Sequence, residues 1–129
     1  MQTSDNIISS KDFHIIDQTD HFVLGGLWDS IYLIDKKTQN EIHLGDLDGV
    51  VDIGIISKDN SWAVTGREVV LLWRNGQTFT IDKKELACVE SIKLIGDNLV
   101  ELQVDTLNLN NNKSTWTLNT VTQELIRQP

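Results

Sequence analysis

Cysteine is nearly missing: Cys88 is the only one in 129 residues, so no disulfide can form within the chain. A reducing compartment is the economical expectation, with Cys88 a small buried hydrophobe rather than a nucleophile. No apolar run approaches the roughly 20 residues that a membrane span requires. The opening stretch from Met1 to Lys11 lacks a basic region followed by an apolar core, so it does not read as an export signal. A soluble, cytoplasmic protein is therefore expected. Basic residues are also few, 11 Lys and Arg against 19 Asp and Glu, for a formal charge of -8. Nucleic acid and anionic membrane reward clustered Lys and Arg, so both are disfavoured as direct ligands and a cationic partner is easier to accommodate. The competing reading is that the surplus carboxylates serve solubility alone.

Signatures of catalysis are missing as well. His14, His21 and His43 have neither Cys partners nor a helical His spacing, so a zinc site would need convergence in the fold. There is no G-x-S-x-G elbow and no glycine-rich phosphate loop, which removes the usual marks of acyl and phosphoryl transfer. Gly45-Asp46-Leu47-Asp48-Gly49-Val50-Val51-Asp52 is the densest carboxylate cluster. Its alternate aspartates invite calcium, but Val50 and Ile56 stand where the loop would need its third acid and closing glutamate. No catalytic residue, cofactor or metal is predicted. An enzymatic or small-molecule site would have to assemble around His14, His21 or His43 in an internal pocket.

What the chain has in quantity is short apolar runs between turn residues. Val51–Ser57, Trp62–Thr65, Glu68–Trp73 and Gln77–Ile81 form one set, its last two runs joined by Asn75-Gly76, the strongest short-range hairpin signal. Phe13–Asp17, His21–Leu27, Ser30–Asp35 and Glu41–Leu44 form an earlier set. Val89–Ile95, Leu99–Leu107, Ser114–Leu118 and Gln123–Ile126 form a later one. Met1–Lys11 reads as a loose lead-in, the polar run Asn108–Lys113 as a loop, and Asp82–Ala87 as a helical turn too short for a helix.

The three sets repeat. The turn between first and second strands ends at Asp20, Asn60 and Asn98, spacings of 40 and 38 residues that fall in the range of propeller blades. The expected units are residues 12–45, 50–82 and 88–127 of a single domain, 1–129. At Val69-Val70-Leu71-Leu72-Trp73-Arg74-Asn75-Gly76 the sequence resembles the third strand and turn of a WD-type β-propeller blade. Arg74 replaces the usual acid and no Gly-His pair precedes any unit, so the structural tetrad of that family is not expected. The fold class is all-β: three four-stranded antiparallel, propeller-blade-like repeats, with a β-sandwich or barrel as alternative. Any of these buries the same alternating positions, among them Ile15, Val23, Ile31, Leu33, Ile53, Ile55, Val70, Leu72, Ile92, Leu94, Leu102 and Leu118.

Four tryptophans accompany one tyrosine, and Trp is a frequent interface anchor. Trp62 and Trp73 read as core and Trp116 as intermediate, whereas Trp28, followed by Asp29 in a turn, reads as exposed. Asp46 and Asp48 project from the junction of the first two units, with Asp52 just beyond. Trp28, Asp29, Asp46, Asp48 and Asp52 are the predicted partner-binding residues. In overall character, small, acidic and all-β without a catalytic set, the chain resembles immunity proteins of bacterial toxin systems such as contact-dependent growth inhibition. The resemblance implies a non-enzymatic domain that neutralises a cationic toxin, such as a nuclease, by covering its basic surface. The alternatives are a small-molecule or enzymatic site in the axial pocket and an oligomeric adaptor, so monomer and homodimer both stay open.

Overall fold

A computed structural model describes residues 7–83, 85–86, 88–105 and 113–129. Among the described residues twelve strands form three separate four-stranded sheets in which each strand pairs with its sequence neighbours. The first sheet holds β1 (Phe13–Gln18), β2 (Phe22–Leu27), β3 (Ser30–Asp35) and β4 (Glu41–Asp46). The second holds β5 (Gly54–Ile56), β6 (Trp62–Gly66), β7 (Val70–Arg74) and β8 (Gln77–Ile81). The third holds β9 (Val89–Gly96), β10 (Leu99–Asp105), β11 (Lys113–Asn119) and β12 (Leu125–Arg127). All pairings are antiparallel, as tight hairpins between alternating strands require. Of the expected polar run only Lys113 is among the described residues, and positions 84 and 87 of the expected helical turn lie outside them. Among the described residues no helix is long and apolar enough to cross a membrane.

The repeat is visible in the backbone. The residue after each third strand donates to the turn between first and second strands: Lys36 N–H to His21 O, Asn75 N–H to Ser61 O and Thr120 N–H to Asn98 O, at 2.9, 3.2 and 2.9 Å. The second sheet closes its last hairpin with Asn75 and Gly76 at φ +49° and +84°, the two positive values that a type I′ turn demands. The outer two use a longer loop. There Asp35 Oδ1 accepts from the Lys37 and Thr38 N–H groups, and Asn119 Oδ1 from Val121 and Thr122. Gln39 and Gln123 then sit at φ +66° and +63°.

The sheets stack face to face through two apolar layers. Phe22, Leu24, Ile31, Leu33 and Leu44 of the first sheet meet Ala63, Leu71 and Trp73 of the second. On the other side Trp62, Val64, Val70 and Leu72 meet Val100, Leu102, Trp116 and Leu118 of the third. The first strands converge, with β5 lying against both β1 and β9. Gly54 permits that approach, since a side chain there would strike Ile16, Leu24 and the Val64 carbonyl. Asp17 Oδ2 accepts the Ile56 N–H at 2.8 Å, joining the first two sheets at the same place.

Two burial expectations need correction. Ile15 is 49 % exposed. The β1–β2 register shifts between Ile15 and Asp17, so Ile16 faces the second sheet and packs on its apolar layer instead. Such a bulge carries one extra residue and exchanges the faces on either side of it. Trp116 is buried rather than intermediate, its indole N–H donating to Ser114 Oγ at 2.9 Å. The lead-in is not loose over its described part. A 3-10 turn, Ile7–Ser9, leads to Phe13 through Ser10, and Ile7 N–H donates to Glu41 Oε2 at 3.2 Å.

Candidate interaction surface

The β2–β3 hairpin is closed by two residues, Trp28 and Asp29, between the paired Leu27 and Ser30. Trp28 has φ +56° and is 66 % exposed. A bulky side chain rarely occupies positive φ, and an exposed indole forgoes a large burial gain. The two-residue hairpin accounts for the positive φ itself, but not for a large exposed indole at that position, so the turn presents the ring.

Beside it runs the segment that leaves β4. Leu47 N–H donates to Asp29 O at 2.7 Å while the Leu47 side chain is buried in the first apolar layer. That bond sets Trp28 and Asp29 next to Asp46 and Asp48, which flank Leu47 and face solvent. Asp46 Oδ1 accepts from Ser30 Oγ at 2.6 Å and from His43 Nε2 at 2.8 Å. The serine hydroxyl, then the histidine, hold its carboxyl below the ordinary aspartate value. Asp48 N–H donates to Glu68 Oε1 at 2.8 Å, which brings in the β6–β7 turn. Val50 follows, 61 % exposed. The next residue is buried, and its carbonyl accepts from His14 Nε2 at 2.6 Å. Asp52 is exposed and lines a recess of about 270 Å³ with Arg67, Cys88 and Glu90.

All five predicted partner-binding residues thus lie on the end of the molecule that carries the β2–β3 and β6–β7 turns. The charge is uneven. Residues 12–46 hold seven carboxylates against two lysines, a net -5 of the chain's -8. Sequence reasoning missed Glu68 and the Ser30 and His43 support of Asp46. The β3–β4 register, in which Ser30 pairs with Asp46, is the signal that would have exposed the latter.

The histidines do not converge. His14 bonds the Val51 carbonyl, His21 lies 3.2 Å from Asp35, and His43 bonds Asp46. Lys36 N–H bonds His21 O, which places the His21–Asp35 pair at the opposite end of the first sheet. Ser30, Asp46 and His43 have the residue types of a hydrolytic triad but the wrong order, since serine and histidine both bond the same aspartate oxygen. Among the described residues no three His, Cys, Asp or Glu side chains are placed to hold a metal. A groove of about 630 Å³ between the second and third sheets is lined by Lys58, Asp59 and the 94–98 hairpin, without a histidine.

No protein-family model matches the chain, and no curated protein does so significantly. Solved structures do match in fold. The chain is similar to the tricorn protease with a TM-score of 0.60 and 10 % identity, over 88 % of this chain and 12 % of that one. It is similar to the WD40 repeats of RRP9 (TM-score 0.58, 13 % identity, 91 % and 41 %). U3-55K follows (TM-score 0.55, 14 % identity, 89 % and 41 %). The chain spans less than half the length of each. The three sheets are propeller-type blades, and the likeness extends to fold alone.

Proposed function

We propose that this is a non-enzymatic protein-binding domain of the immunity type, whose acidic turn-bearing end covers the basic surface of a toxin domain such as a nuclease. The observation that carries the reading is the bond from Leu47 N–H to Asp29 O at 2.7 Å. It joins an exposed aromatic anchor to a row of carboxylates in one surface, the combination that steers a cationic partner and then holds it. The loops of a rigid β scaffold are where such surfaces are usually built. The net -5 of residues 12–46 puts the attraction on the same sheet as Trp28.

The test is a titration of a basic toxin nuclease domain at increasing ionic strength. Association should slow steeply with salt. Asp46→Lys combined with Asp48→Lys should keep the fold and lower the association rate about tenfold or more. An association rate indifferent to ionic strength would overturn the steering argument.

A further inference from the structure

The surface that starts at Trp28 does not stop at the turn. Ile15, Gly25, Tyr32 and His43 form one row across the first sheet, and Phe13, Leu27, Ser30 and Asp46 flank it. Both rows lie on the face turned away from the second sheet, opposite Leu24, Ile31 and Leu33. The Phe13 ring lies over Gly25, where any side chain would collide with it. The Tyr32 and His43 rings meet at a tilt of 49° with centroids 5.3 Å apart, and Ile15 is left 49 % exposed.

The lower part of this face is covered by the chain itself. Ile7 bonds Glu41 on the outer strand and Phe13 opens the inner one, so residues 7–12 cross the sheet from edge to edge. Val23 and Ile34, in the row that pairs with Glu41, are 2 % and 3 % exposed yet belong to neither inter-sheet layer. The upper part is covered only in places: Phe13 lies over Gly25 and Leu27 is buried, whereas among the described residues Ile15 and His43 stay exposed and Tyr32 is half-buried. At the far end of the molecule, the outer face of the third sheet carries Lys93, Glu101 and Thr117 in one row with Ile126, and Ser91, Gln103 and Thr115 in the next. That face is polar over these two rows, with Leu99 and Ile126 exposed beside them; the end face of the first sheet is aromatic and aliphatic with carboxylates at its margin.

We infer that Ile15, Tyr32 and His43, continuous with Trp28, form the apolar half of a docking surface for a protein segment that carries arginine or lysine around aliphatic anchors. This rests on the partner-binding reading and extends it from the turns onto the sheet. Charge selects the occupant. A second copy meeting this face with its own would set one acidic margin, Asp29 and Asp46, against another, whereas basic side chains would reach Asp29 and Asp46 while aliphatic groups cover Ile15 and Tyr32.

The probe is a capped hexapeptide of alternating arginine and leucine, with its glutamate–leucine counterpart as control, titrated into the full chain and followed by backbone amide shifts. The arginine peptide should move Ile15, Tyr32 and His43 together with Trp28, the glutamate peptide should not, and Ile15→Glu should weaken binding about tenfold. Tyr32→Ala should weaken it too, with the melting temperature checked so that an unfolded variant is not counted. Shifts confined to Asp46, Asp48 and their turns, unaffected by Ile15→Glu, would overturn the inference and leave the partner-binding reading standing. An absence of shifts anywhere would sink both. Sedimentation showing a dimer that Ile15→Glu dissociates would overturn it in favour of a second copy.

Discussion

The indole Nε1 of Trp62 donates to the backbone oxygen of Asp97 at 3.0 Å, so the second strand of the middle sheet is fixed to the first turn of the third. Trp62 is fully buried, and its bond crosses the apolar layer between the second and third sheets.

Trp73 makes a useful contrast. It packs edge-on against Phe22 at 5.3 Å in the other layer, and its buried Nε1 has no hydrogen-bond acceptor among the described residues. Trp62→Phe removes ring volume and orphans the Asp97 carbonyl, whereas Trp73→Phe removes similar volume together with an unsatisfied donor. The first should therefore cost about 1–2 kcal/mol more than the second, read from urea midpoints at equal m. Equal costs would mean that the inter-sheet bond contributes nothing.

The bulge in β1 yields a second pair. Ile16 packs on the first apolar layer, whereas Ile15 faces away from it. Ile16→Ala should destabilise by about 1–3 kcal/mol, and Ile15→Ala should stay within about 0.5 kcal/mol of the parent. Denaturant unfolding of both variants checks the order, and a reversed order would place the bulge elsewhere.

These two residues also mark how far the sequence could be read. Strand number, order and most boundaries follow from period-2 runs and turn residues: Ser30–Asp35 and Gln77–Ile81 were predicted with the bounds the structure has. A bulge leaves no such trace, because Phe13-His14-Ile15-Ile16-Asp17 offers two adjacent isoleucines and only tertiary packing selects the buried one. The exposure of Trp28 was legible from its Asp29 neighbour and the two-residue gap. Its proximity to Asp46 was not, because that depends on Leu47 being buried and on a backbone bond that no pattern encodes. Sheet stacking was legible only as a repeat. Which face of the first sheet ends the stack needed coordinates.

Gly76 tests turn against surface. Its φ is +84°, with open space where a side chain would go, so Gly76→Val meets a conformational penalty rather than a clash. The expected loss is about 1–2 kcal/mol, since a β-branched residue in the left-handed region is strained. Binding of the arginine–leucine peptide by the remaining folded protein should be unchanged, because Gly76 lies at the end opposite Trp28. Thermal melts and the peptide titration together check both halves.

Acid should weaken the fold through three carboxylates, Asp46 and Asp59 exposed and Asp35 half-buried. Asp35 is held below the ordinary 3.8 chiefly by the Thr38 N–H, with Lys37 and His21 adding to it. Asp46 is held down by Ser30 and His43, and Asp59 by Ser61 and Ser57. A carboxyl whose folded value is depressed contributes stability that is complete above its unfolded value and lost as pH falls through the folded one. The loss should therefore begin below about pH 4 and continue downward. Protonation also relieves repulsion among the carboxylates of a chain at -8, which acts in the opposite direction and makes a bulk acid midpoint ambiguous. Site-resolved titration separates the two. Carbonyl-detected shifts should place Asp46 below 3.8, and Ser30→Ala should raise it while leaving Asp59 where it was. If Asp46 titrated identically in parent and variant, the Ser30 bond would have no part in tuning it, and the carboxylate beside Trp28 would be an ordinary surface aspartate.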